Sequence, residues 1–175
     1  VISIPEVLKT LKDNLFNDRV WPDFTKIPSP ENPVLRLEEV RYGKPFKVDG
    51  YRIEPLKVNH PVPAVGYIIE KGGKRFLYTG DTGPTDAIWR EVNKGYLNAI
   101  IIEVSFPNRM KELAINTGHL TPRMLADELR KIDILPQRIF ITHPKPQYYR
   151  KIKDEIEKLK INGIVILSDK MVIGI

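Results

Sequence analysis

The 175 residues carry 28 lysines and arginines against 22 acidic residues, with three histidines, no cysteine, 42% hydrophobic content and 29% charged content. That is enough apolar material for one core; it excludes disulfides and thiolate metal sites, and no run approaches the roughly 18 apolar residues of a membrane span. The net charge of +6 suits an anionic partner although Lys and Glu are interleaved, the lack of a signal-peptide pattern predicts a cytoplasmic protein, and the Pro, Lys, Glu and Ile usage resembles that of thermophiles.

Ser3-Ile4-Pro5-Glu6 has the form of a capping box with proline in the first turn, and Val7, Leu8, Leu11 and Leu15 follow at helical spacing, which predicts a helix from Ile4 to Phe16. Residues 17 to 33 hold Trp21, Phe24 and four prolines, too many for a regular element. This long connection is either functional or a cover over the core. From Val34 the pattern has period two. Val34 to Leu37 and Pro45 to Val48 read as short strands, and Asp49-Gly50 is a type I′ hairpin signal leading into a strand from Tyr51 to Val58. Ala64 to Glu70 and Lys74 to Tyr78 flank Lys71-Gly72-Gly73 as a second hairpin, so the first half reads as a β-meander.

Further on, helices are expected over Asp86 to Lys94, Pro122 to Ile132 and Tyr148 to Lys160. They alternate with buried strands at Ala99 to Glu103 and Arg138 to Thr142, and the chain closes on a hairpin of Ile164 to Leu167 with Met171 to Ile173. Strands alternating with helices predict an α/β layered sheet with helices outside, and the absence of repeats or linkers predicts a single domain over 1–175.

The run Phe76-Leu77-Tyr78-Thr79 stops at Gly80-Asp81-Thr82-Gly83-Pro84, which presents Asp81 at a strand's end. There it serves metal or phosphate chemistry, or caps a helix starting near Thr85. His60 follows the strand ending at Val58, His143 follows the strand ending at Thr142, and His119 lies in the loop Asn116 to Pro122. Residues leaving neighbouring strands at one sheet edge converge in space. Imidazoles and a carboxylate so gathered form the donor set of a zinc-type or other transition-metal site.

Val58-Asn59-His60-Pro61, Gly80-Asp81-Thr82 and Ile141-Thr142-His143-Pro144 resemble the later metal motifs of the metallo-β-lactamase superfamily. With Trp21-Pro22-Asp23-Phe24, Gly118-His119-Leu120-Thr121-Pro122 and Thr142-His143-Pro144-Lys145-Pro146, the chain looks like the class II cyclic-nucleotide phosphodiesterase branch, of which ribonuclease Z is a near relative. The resemblance implies an αββα sandwich and a metal-dependent hydrolysis of 3′,5′-cyclic nucleotides to nucleoside 5′-monophosphates by water activated between two divalent ions. Zinc comes first among these, with manganese or iron as alternatives.

By that resemblance His60, Asp81 and His143 are metal ligands, with Asp81 bridging, and His119 acts beside the scissile bond, giving a proton to the departing ribose oxygen or hydrogen-bonding a phosphate oxygen. Family members also carry an upstream His-x-His-x-Asp-His motif, absent from this chain. The expectation is therefore the C-terminal portion of the fold, with three of seven ligands, inactive or nearly so alone. Its partner would be a small anionic phosphodiester and not a membrane. Nucleic acid is set aside because no segment reads as an RNA-gripping basic arm, and an uncovered sheet face favours a homodimer. The alternatives are a ribonuclease Z-like or other hydrolase on this fold, or a non-catalytic interaction module. Thr82 orients Asp81 or caps its turn, Ser105 and Glu103 leave a strand near the site although Glu103 reads equally as an ordinary strand-end charge, Lys145 reaches a phosphate or is solvated, and Tyr148 and Tyr149 stack on a base or begin the last helix.

Overall fold

The computed structural model describes residues 1–174. Its frame is a seven-stranded sheet in the order β3 (Phe46–Val48), β4 (Tyr51–Lys57), β5 (Val65–Lys71), β6 (Lys74–Tyr78), β7 (Ala99–Glu103), β8 (Arg138–Thr142) and β9 (Ile164–Ile166). The first four strands are antiparallel, as the meander predicts, and β6 to β9 are parallel. The switch follows the connections. Asp49 and Gly50 have φ of 48° and 79°, and Gly72 and Gly73 have 57° and 75°. Positive φ at both central residues is what a type I′ turn demands, and such turns join antiparallel strands. The parallel strands instead need crossovers, supplied by α2 (Ala87–Val92), by α3 (Lys111–Asn116) with α4 (Pro122–Leu129), and by α5 (Tyr149–Glu157).

The helices share one face of the sheet. Leu56, Ile68, Leu77, Ile100, Ile102, Ile139 and Ile141 form one cluster with Ile88, Trp89 and Val92 of α2, Met124, Leu125 and Leu129 of α4, and Ile152 and Ile156 of α5. Each aliphatic side chain buried there contributes about 1.5–3 kcal/mol. Glu128 of α4 is buried within this layer, where it accepts the Trp89 Nε1–H at 2.7 Å and the Thr85 N–H at 3.1 Å and pairs with Lys131 at 2.9 Å, fastening α2 to α4. On the other face, Pro55, Tyr67, Tyr78, Ile101, Phe140 and Val165 stand in register as one row across six strands. That row is apolar yet only half covered, with Tyr78 40% and Val165 42% exposed. Tyr67 Oη–H donates to Ile2 O at 3.5 Å, tying the N-terminal segment to this side.

That segment holds β1 (Ile2–Ser3), α1 (Pro5–Asn14) and β2 (Glu38–Glu39). The predicted capping box does not form: the N-cap is Ile4 without a side-chain cap, because Ser3 pairs with Glu39 in a parallel bridge of β1 and β2. Nor is Val34 to Leu37 a strand. Its Val34 and Leu35 N–H groups donate to Ile27 O and Phe24 O in the proline-rich connection, at 2.7 and 3.1 Å. The predicted closing hairpin is replaced by a parallel pairing of β9 with β8, and Met171 N–H closes a turn on Ser168 O. Helices α2, α4 and α5 stop two or three residues earlier than predicted, each ending on i→i−3 bonds such as Lys94 N–H to Glu91 O, Lys131 N–H to Glu128 O and Lys160 N–H to Glu157 O. The six-residue α3 was not anticipated, being too short for helical periodicity to register. Among the described residues no helix is long and apolar enough to cross a membrane.

Candidate metal centre

Strands β4, β6, β7 and β8 all run the same way, β4 reversed twice through β5 and the others parallel. Their C-terminal ends therefore open on one edge. His60 lies three residues beyond β4, Asp81 three beyond β6, and His143 directly after β8. The first two loops are stitched together. Thr82 Oγ1 accepts the Asn59 N–H at 3.1 Å and donates to Gly83 O at 2.9 Å, Gly83 N–H donates to Asn59 O at 2.8 Å, and Asn59 Nδ2–H to Pro84 O at 2.7 Å. Thr82 thus fixes the turn that carries Asp81, and Asp81 caps no helix: the N-cap of α2 is Asp86.

The loop before His119 presses on His60. Gly118 has φ +69°, and a Cβ there would lie 2.5 Å from Pro61 Cδ and 3.0 Å from His60 Cα, so glycine alone permits the approach. His143 sits at φ +64°, a left-handed conformation uncommon for a residue with a side chain.

Ligand atoms of His60, Asp81 and His119 all lie within 4.8 Å of one another, and so do those of Glu103, His119 and His143. Asp81 Oδ1 is 3.9 Å from His143 Nδ1. The His119 ring sits 5.3 Å from each of the other two imidazoles, edge-on to His60 and stacked on His143. His119, expected beside the scissile bond and not as a ligand, is therefore common to both groups of potential donors.

Beneath the cluster is Glu103, fully buried at the end of β7. Its Oε1 accepts from His119 Nδ1 at 2.7 Å and from Thr82 N–H at 3.2 Å, while its Oε2 accepts the Ser105 hydroxyl at 2.8 Å and Leu120 N–H at 3.4 Å. The Ser105 proton is thus committed, so at 2.8 Å from His143 Nδ1 its oxygen is the acceptor of that N–H. His60 Nδ1 lies 3.3 Å from Val62 O, which can only accept. All three histidines thus set Nδ1 against an acceptor, an arrangement that in a neutral imidazole puts the lone pair on Nε2, the tautomer a metal-binding imidazole takes when its other nitrogen is held.

Glu103 and Ser105 are among the residues whose role the sequence leaves open. The signal was a carboxylate closing the otherwise apolar buried strand Ala99-Ile100-Ile101-Ile102, a place where an unpaired charge is not tolerated.

The donors present, neutral imidazole nitrogens and the partly exposed Asp81 carboxylate, fit part of the nitrogen and oxygen sphere of a zinc-like ion. Beside His143 a cavity of about 750 Å³ opens against Pro146, Tyr149, Leu167 and Asp169. Tyr149 therefore borders the site, whereas Tyr148 packs against Phe106 at 6.5 Å. The Lys145 ammonium hangs 6.0 Å over the Phe106 ring. Nearby, burial and the Asp81 charge push the Tyr78 hydroxyl above the ordinary tyrosine range.

Comparison with known proteins identifies the family and the fold. The chain is 29% identical over 172 residues to a Yersinia pestis protein named "Probable 3′,5′-cyclic-nucleotide phosphodiesterase", covering 85% of the chain and 50% of that relative. It is 21% identical over 189 residues to the ribonuclease Z of Archaeoglobus fulgidus, covering 78% of the chain and 60% of the relative. The chain thus spans about half the length of these curated relatives. The metallo-beta-lactamase fold protein YhfI from Bacillus subtilis superposes with a TM-score of 0.66 at 17% identity, over 83% of this chain and 57% of that one, which is a likeness of fold. The family model described as the beta-lactamase superfamily domain matches residues 5–143, most of the sheet and all of the His and Asp edge, and the chain belongs to that family.

Proposed function

We propose that the protein is a metal-dependent phosphoric diester hydrolase acting on 3′,5′-cyclic nucleotides to give nucleoside 5′-monophosphates, with His60, Asp81 and His143 as its ligands to two divalent ions. The observation that carries the reading is the gathering of ligand atoms of His60, Asp81 and His119 within 4.8 Å of one another, with His143 Nδ1 3.9 Å from Asp81 Oδ1 and each imidazole's Nδ1 set against an acceptor. When bound, the ions supply an activated water and neutralise charge on the phosphoryl oxygens. Asp81 offers two carboxylate oxygens and so suits a bridge. His119, its Nδ1–H taken by Glu103, directs any proton or hydrogen bond it gives through Nε2, toward the departing ribose oxygen or a phosphate oxygen. The cavity against Tyr149 has room for the nucleoside, since small-molecule sites span about 300–1,000 Å³.

With three histidines in all, these 175 residues hold fewer donors than two four-coordinate ions need. They are expected to bind metal with little turnover unless further ligands join them. The ribonuclease Z likeness, together with a net charge of +6, favours RNA as a second substrate class.

The test is product analysis with cyclic AMP, cyclic GMP and a precursor RNA, on the 175 residues and on any longer protein containing them. Each would be stripped of metal and then reloaded with zinc, manganese or iron. The reading predicts metal-dependent release of nucleoside 5′-monophosphate by the longer protein, abolished in Asp81→Asn, and little turnover by the 175 residues alone. Cleavage of RNA alone would transfer the assignment to the nuclease class, and a fully metal-loaded protein inert toward all three would overturn it.

A further inference from the structure

The helical layer holds a second concavity that the metal chemistry does not use. It encloses about 520 Å³ and its lining includes Arg109, Arg123, Lys151 and Lys158. Glu155 is the single acid in that lining, and it is already engaged: Oε2 accepts the Asn108 N–H at 2.7 Å and Oε1 pairs with Lys151 at 3.4 Å. Asn108 Oδ1 in turn accepts the Arg123 N–H at 2.8 Å. The short helical turn at Asn108–Met110, the first turn of α4 and the middle of α5 are thereby locked around the cavity. Among the described residues no carboxylate lies within ion-pairing distance of Arg109, Arg123 or Lys158, although every other cavity-lining charge is matched.

Three cations without a carboxylate partner line this one concavity, and like charges so placed repel each other unless an anion joins them. Two of them are arginines, whose planar donors match phosphate oxygens in pairs. Leu159 is the one aliphatic residue in the lining, so there is no apolar slot for a base. The concavity also adjoins the metal edge, since Arg109 lies 5.9 Å over the Tyr148 ring, Tyr148 packs on Phe106, and Phe106 meets His119 at 5.8 Å.

We propose that this cavity is an anion site for ligands carrying two or more phosphate groups, read by charge and phosphate geometry without regard to the base. Its occupant is a free polyphosphate or nucleotide, or the backbone of a nucleic-acid strand; the chemistry recognised is the same.

Titration calorimetry in chelator-containing buffer tests the site with the metal edge empty, so that a negative result leaves the hydrolase reading intact and a failure of that reading leaves this one. Inorganic tripolyphosphate, ATP and GTP should bind within about threefold of one another, and orthophosphate at least about tenfold more weakly. The double variant Arg109→Gln/Arg123→Gln should weaken tripolyphosphate about tenfold or more and flatten the dependence of log K on log salt, with an unchanged circular dichroism spectrum. The control Lys9→Gln/Lys12→Gln on α1 should stay within about twofold. An octathymidylate competing better than tripolyphosphate identifies a strand as the occupant, and the reverse order identifies a free polyphosphate. No measurable tripolyphosphate binding, discrimination between ATP and GTP, or equal losses in the control and the arginine variant would overturn the proposal.

Discussion

Replacing Glu103 tests the frame beneath the metal edge. The carboxylate is fully buried and accepts four hydrogen bonds, two on each oxygen. In Glu103→Gln one oxygen keeps two donors, but the amide nitrogen that replaces the other faces the Ser105 hydroxyl, which can turn to accept, and the Leu120 N–H, which cannot. Charge-assisted bonds contribute roughly 1.5–3 kcal/mol each against 0.5–1.5 for neutral ones, and an orphaned buried donor costs about 1–3 kcal/mol. Relief of the burial cost of the charge offsets part of this loss. The net expectation is a destabilisation of about 2 kcal/mol for Glu103→Gln and about 4 kcal/mol for Glu103→Ala, which strands all four donors. Urea unfolding followed by the fluorescence of buried Trp89 measures it. Because Glu103 holds His119 directly and His143 through Ser105, zinc affinity measured by chelator competition should fall about 10- to 100-fold in the still-folded Gln variant. A Glu103→Gln protein as stable as the parent, with unchanged zinc affinity, would refute the reasoning.

Other expectations rest on equally local features. Gly118→Ala drives a methyl to 2.5 Å from Pro61 Cδ at a left-handed φ, so it should destabilise by about 1–3 kcal/mol and displace His60, both visible in thermal melts with and without zinc. Trp89→Phe removes the indole donor to buried Glu128 and should lower the urea midpoint by an amount equivalent to about 1–2 kcal/mol. Hydrogen bonds from Lys26 and Thr25 hold the Asp23 carboxyl down to about 2 from its ordinary 3.8. Such a group contributes its full stabilisation above pH 4 and loses it as the pH falls toward 2. A titration of Trp21 emission over that window should show a transition that Asp23→Asn abolishes.

What could be read in advance followed from strong local rules. Asp49-Gly50 and Gly72-Gly73 demanded tight antiparallel turns, and Ala99 to Glu103 and Arg138 to Thr142 were too apolar to be anything but buried strands. The gathering of His60, Asp81 and His143 could be read in the same way, since β4, reversed twice through β5, runs in the direction of β6 and β8 and all three strands end at one edge. The failures lie where tertiary contacts outbid local preference. Ser3 gave up its cap because its backbone pairs with Glu39, and Val34 and Leu35 spend their N–H groups on the proline-rich connection. Sequence spacing carried no information about His119 lying 5.3 Å from both other imidazoles, since that depends on how closely Gly118 lets one loop approach another.

The left-handed backbone at His143 has its own consequence. A side chain at φ +64° holds about 1–2 kcal/mol in reserve that glycine would release. That strain is the local cost of pointing the His143 ring toward Ser105, His119 and Asp81. His143→Gly releases that strain but forfeits the Nδ1 bond to Ser105 and the stacking on His119, so its melting temperature without metal should stay close to the parent's, while the rise produced by added zinc should shrink.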